Sequence, residues 1–284
     1  MVCAQADETS ARTRMLKLCE ALGVKVARDD LTCKFHPAPK DWAPESAQWL
    51  VTDGRVSMHM SVGGKSFLLV DGNAQAKTAT QPFNGASAKL RTQADVELCA
   101  RQLLIRGFPE ARNLVVRKVV DDKTLGFQGH PEMKGGRASV AFGAPIPGGL
   151  PCHYTPPFQL AIDRRDGSFV DLSYLGTPEK FEAPRPAISS VEAIVLARRV
   201  LSEHLAKSRS ESARARNQLY SDAHVERAVQ LCYAPPSPAF GQREYLRYTG
   251  LGATRPLAYI VPLGRKCTVM ISAHTGNCIG GAIE

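Results

Sequence analysis

The chain has 284 residues and a mass of 30.8 kDa; 44% of the residues are hydrophobic and 22% charged. That composition excludes wholesale disorder and collagen-like repetition, and the length admits about two domains of roughly 100–200 residues. The net charge is +9, from 36 Lys and Arg against 27 Asp and Glu, and no window reaches the roughly 18–20 apolar residues of a spanning helix.

At the amino terminus, Ala4-Gln5-Ala6 ahead of Asp7-Glu8 has the small-residue pattern of a signal-peptidase site. The expectation is an extracytoplasmic or secreted protein, with a chance Ala-Gln-Ala in a cytoplasmic chain as the alternative. Eight cysteines stand at 3, 19, 33, 99, 152, 232, 267 and 278. None forms Cys-x-x-Cys and no pair has zinc-finger spacing, so neither a metal nor a cofactor is expected.

Three amphipathic helix patterns follow in chain order. Ala11, Met15, Leu18, Cys19 and Leu22 share one face and stop at Gly23. Val96, Ala100, Leu103 and Leu104 do the same before Gly107 and Pro109. Val191, Ile194, Ala197, Leu201 and Leu205 form the third. Thr92-x-x-Asp95 and Ser189-x-x-Glu192 are capping-box starts for the last two and lie 97 residues apart. Strand-like runs lie between, at Trp49–Val51, Arg55–Val62, Asn113–Val120, Ala138–Phe142 and Leu257–Val261.

Two segments close their blocks alike. Gln159–Val170 and Thr268–Ile279 align without a gap at a shift of 109, which puts Ile162 on Ile271 and Gly167 on Gly276. A glycine there supplies the positive φ that such a turn needs. Phe67–Gly72 is the counterpart expected in the first block, without the same turn length. The larger second shift implies about 12 further residues in the last block, expected as a helical extension within Ala206–Cys232.

The expected fold class is α+β: two or three tandem modules over 1–80, 81–180 and 181–284, each a helix on an antiparallel meander. The last block, with Leu257–Val261, Cys267–Ile279 and the helix Ser189–Leu205, resembles the PepSY domain. The middle block resembles it less closely through Ile162–Val170, and Ser272 stands where that family carries Asp. The resemblance implies small cystatin-like modules of secreted peptidase prosegments and envelope proteins, which bind or inhibit without chemistry, and it brings no catalytic residue. The expected function is therefore a non-catalytic binding or inhibitory protein, with a protein or envelope polymer as partner.

The motifs that mimic chemistry read as structure. Gly63-Gly64-Lys65-Ser66 ends like a phosphate loop, but His59 stands where that motif needs glycine and a strand follows. Met58 and Met60 point to the face opposite His59 on a strand, so the three cannot close on one ion. His130, Met133, Cys152 and His153 lie in Gly/Pro-rich loops, and Asp29-Asp30 and Asp121-Asp122 read as solvated turns. Two alternatives stay open. Charge rises along the chain, from +1 over 1–80 to +3 over 81–180 and +5 over 181–284. Lys207, Arg209, Arg214 and Arg216 are accordingly candidate ligands for nucleic acid or another polyanion. The other alternative is an enzyme site at a module junction, around Cys152-His153 or Tyr245–Tyr248.

Overall fold

The structure, a computed structural model, describes residues 7–38, 47–64, 66–81, 83, 87–121, 136–176, 180–206, 228–235, 254–264 and 267–283. The fold is α+β, with helices packed on antiparallel sheets. It divides into two compact units, 1–145 with 156–178, and 146–155 with 179–284. No helix among the described residues is long and apolar enough to cross a membrane.

The first unit opens on helix α1 (Glu8–Leu22), whose five apolar positions are buried as their spacing requires. The Asp7 carboxylate caps its start by accepting from Ser10 N at 2.7 Å, and Gly23 ends it in the left-handed region. Four strands follow as a meander: β1 (Thr32–His36), β2 (Gln48–Thr52), β3 (Val56–Ser61) and β4 (Phe67–Asp71). A short helix, α2 (Gly72–Thr80), starts directly on β4, with Asp71 as its cap. The pattern then repeats as α3 (Gln93–Gly107) and the meander β5 (Val115–Asp121), β6 (Arg137–Gly143), β7 (Phe158–Asp163) and β8 (Phe169–Tyr174). The expected capping box is present at Thr92 and Asp95.

The two meanders are one sheet. β4 pairs antiparallel with β8, giving eight strands in the order β1-β2-β3-β4-β8-β7-β6-β5. α1 and α3 pack on one face and against each other, where the space beside Gly107 is filled by Leu18 and Leu22. Phe67, Phe108, Phe158 and Tyr174 gather under them with ring centroids 4.7–5.9 Å apart.

The second unit holds the third copy. A two-residue strand, β9 (Lys180–Phe181), pairs in parallel with β11 (Thr254–Arg255). Helix α4 (Ser190–Ala206) starts on the Ser189/Glu192 box, with both reciprocal bonds made. It lies over a four-stranded sheet, β10 (Gln230–Tyr233), β12 (Leu257–Pro262), β13 (Cys267–Ser272) and β14 (Cys278–Ile283).

Three expectations need correction. The first-block hairpin that corresponds to β7–β8 is β3–β4, so Phe67–Asp71 is the last strand of its module and not the one before the turn. In α4 the buried face is Ala193, Ala197 and Leu201, while Val191 is 68% exposed. Ala193 occupies the place of Val96, and both are buried. Gln230–Cys232 is strand, so the expected helical extension cannot run to 232; residues 207–227 lie outside the described residues.

The repeated hairpins agree in detail. Asp163 N donates to Ser168 O at 2.9 Å and Gly167 N to Asp163 O at 2.8 Å. Ser272 N donates to Asn277 O at 2.8 Å and Gly276 N to Ser272 O at 3.0 Å. Gly167 (φ +79°) and Gly276 (φ +72°) each sit on their helix: an added Cβ would lie 3.1 Å from Cys99 Sγ and 3.1 Å from Leu196 Cδ1 respectively. Cys99 and Leu196 hold the same place in their helices, 97 residues apart. Gly167→Ala and Gly276→Ala are each expected to cost about 1–2 kcal/mol for the left-handed backbone alone. Urea unfolding at constant m-value checks both.

Candidate binding face

Strand alternation sends one set of side chains to the helices and the other to the opposite face. On β3, Val56, Met58 and Met60 are buried beneath the helices, and His59 is exposed on the far side. The methionines are thus core residues and no ligand set. Register carries a single row across all eight strands of that far face: Lys34, Leu50, His59, Leu68, Ser173, Gln159, Ala141 and Lys118. Lys34, His59 and Gln159 are exposed, and Leu68 is 40% exposed. The row has a lysine near each edge, an apolar and imidazole centre, and no carboxylate. An exposed sheet face with this chemistry suits an extended or acidic partner.

The neighbouring end of the face is closed by charge. Arg137 reaches the buried Asp171 at 2.6 Å. Burial raises the Asp171 carboxyl above its ordinary range, and the Arg137 charge pulls the other way. At the β7–β8 turn the fully buried Asp163 carboxylate meets Lys77 Nζ of α2 at 3.2 Å and Arg165 Nη1 at 3.0 Å. Lys77 also holds Asp166 at 2.8 Å. Burial opposes the charged form of Asp166, but the Lys77 ammonium and the Ser168 bonds outweigh it and bring the carboxyl down to about 2.

This conspicuous charge cluster fastens the turn to the chain entering α3. Lys89 N donates to Arg165 O and Leu90 N to Arg164 O, both at 3.0 Å, while Arg165 Nη2 donates to Gln81 O and Arg164 Nε to Leu90 O. In the second unit the equivalent turn holds the entry to α4, where Ala187 N and Ile188 N donate to Ala273 O. Ser272, in the place of Asp163, accepts from Thr275 N at 3.2 Å and so closes its turn without a charge.

Gly63-Gly64 lie in the β3–β4 turn, where Ser61 N donates to Ser66 O at 2.9 Å. Cys152 and His153 stitch a short segment to β10: Cys152 bridges Tyr233, whose carbonyl accepts from His153 N at 2.8 Å. Asp29 and Asp30 are exposed in a single helical turn. Lys207, Arg209, Arg214, Arg216, His130, Met133, Asp122 and Tyr245–Tyr248 lie outside the described residues, as does the Asp121 side chain. No group of three metal-ligating side chains occurs among the described residues. No disulfide joins the described cysteines; burial pushes Cys19 up to about 12, and Cys232 and Cys267 to about 11.

Sequence reasoning did not single out the face row, because its residues come from eight strands and become neighbours only through register. The charged turn was nearer the surface of the text: Asp163-Arg-Arg-Asp-Gly167 is one contiguous run.

No family model matches the chain, and no curated protein does. A solved structure, the Bacillus megaterium YpeB C-terminal domain, is similar at 13% identity and a TM-score of 0.41. The match covers 99% of this chain and 99% of that one.

Asp163→Ala leaves Lys77 and Arg165 facing each other around an empty buried site, and is expected to lower stability by about 2–3 kcal/mol. The Asp166 carboxyl is depressed when folded, so its contribution is complete above pH ~4 and disappears as pH falls towards ~2. Solvent screening at this half-exposed group limits it to roughly 1 kcal/mol. Comparing the acid arm of a stability–pH curve for wild type and Lys77→Met tests this, since the variant loses the Lys77 share of that slope and keeps the Ser168 share.

Proposed function

We propose that this protein is a non-catalytic binding or inhibitory protein built from PepSY-like modules and exported from the cytoplasm. Its working surface in the first unit is the open sheet face, and its partner is an acidic protein segment or an anionic envelope polymer. The observation that carries this reading is the row from Lys34 to Lys118, which places cations and an exposed leucine across a broad face with no carboxylate in the row. The use of the nearby charges supports it. Asp163, Asp166, Lys77 and Arg165 are spent on fastening a turn. The thiols of Cys19, Cys232 and Cys267 are held protonated by burial, the reverse of what a nucleophile needs.

The repeat itself supports a binding role: the β7–β8 and β13–β14 turns are spent on holding the entries to α3 and α4, which leaves the broad sheet face for a partner. Export rests on Ala4-Gln5-Ala6 alone.

Titration calorimetry with polyglutamate as the acidic probe tests the reading. Saturable binding is expected, weakening as salt rises and falling about tenfold in Lys34→Glu/Lys118→Glu, as two reversed exposed charges imply. A double variant that binds like wild type would sink the assignment of this face. Duplex DNA binding stronger than polyglutamate binding, and unaffected by these two changes, would favour the polyanion alternative instead.

A further inference from the structure

We infer that the protein associates with a second copy of itself through β14, so that the sheet of the second unit continues into the same sheet of the other copy. The first unit supplies the pattern. Its two modules join edge to edge through β4 and β8, about a local two-fold axis at the Leu69–Leu172 pair. These leucines hold the same place in their modules, Leu69 opposite Met58 and Leu172 opposite Leu160.

The third module carries the same edge. The pairs Cys267–Ile283, Val269–Gly281 and Ile271–Cys278 reproduce Phe158–Tyr174, Leu160–Leu172 and Ile162–Phe169. Even the irregularity recurs, between Met270 and Ile271 as between Ala161 and Ile162. Gly281 therefore stands where Leu172 meets Leu69. Among the described residues, no strand pairs with the outer edge of β14, which ends its sheet.

The backbone groups on that edge are set for pairing. Ser272 N donates to Asn277 O at the head of the hairpin. Strand alternation then directs the amide groups of Gly280 and Ala282 towards β13, and those of Gly281 and Ile283 outward. The strand reads Cys-Ile-Gly-Gly-Ala-Ile. It has neither the charge nor the proline by which sheet edges are kept single. Carrying the β4–β8 register over puts Gly281 opposite Gly281 of the other copy and Ile279 opposite Ile283. A two-fold axis makes this contact closed and self-complementary. Gly280 and Gly281 are buried within one chain, so the alternative to a second copy at this edge is cover from within that chain.

Light scattering on the eluting full-length chain, from ~1 to ~100 µM, tests the inference. Twice the monomer mass is expected at the upper end. Gly281→Pro removes one outward N–H without touching the β13 ladder, and is expected to weaken the dimer at least tenfold with an unchanged far-ultraviolet spectrum. Ile279→Cys/Ile283→Cys, oxidised and digested, is expected to yield a 279–283 disulfide between copies; these residues are too far apart along one strand to join within it. This second variant decides the matter if the proline variant does not fold. A monomer throughout the range overturns the inference and leaves the edge to cover from within the chain. A dimer indifferent to Gly281→Pro, or lacking the 279–283 link, overturns it in favour of another surface.

Discussion

The contact on which the architecture depends is a glycine pressed against a helix. In the second and third modules the last hairpin must turn sharply enough to bring its tip onto the helix that began the module. A left-handed residue makes that turn, and a side chain there would strike Cys99 or Leu196. Once the tip is seated, its carbonyls accept from the chain entering the helix, at Leu90 in one module and at Ala187 and Ile188 in the other. Helix start and strand end, 74 to 86 residues apart in sequence, are thereby locked together. The first module does this differently. Its Ser61–Ser66 turn has the same span but a tighter inner bond, Gly64 N to Ser61 O, and β4 runs straight into α2.

Helices were legible in the sequence because their determinants are local. Asp7, Thr92 and Ser189 cap within three residues of themselves, and the 3.6-residue period is visible wherever one face is apolar. The closing hairpins were legible because one glycine and an ungapped shift of 109 carried them. What failed was non-local. The frame of the first module was misplaced because Phe67–Asp71 reads equally well as either arm of a hairpin. Only pairing with both β3 and β8 shows which arm it is. A better signal was present: Ser66-Phe67 matches Ser168-Phe169, each the entry to a module's last strand.

The α4 misreading has a related cause. Val191 and Ala193 both fit an apolar helix period, and hydropathy favours valine. The helix phase favours alanine, because Ala193, Ala197 and Leu201 share the face laid on the sheet and Val191, two residues away, falls on the other side. Hydrophobicity identifies candidates for burial, and the face that meets the sheet chooses among them.

Charge was the least readable property, because its meaning depends on what it faces. Asp163-Arg-Arg-Asp166 looks like a candidate for chemistry, yet its bonds run to the turn, to α2 and to the chain entering α3. Lys34 and Lys118 look like ordinary surface lysines, 84 positions apart. Strand register puts them in one row, across a face that no contiguous motif announces. The third module manages the same turn with Ser272 and no carboxylate, so the charge cluster is one solution to a fastening problem and not a requirement of the fold. A residue that the architecture can exchange for a neutral one is poor ground for assigning chemistry. By that argument, the lysines outside the fastening network are where interaction with other molecules is to be sought.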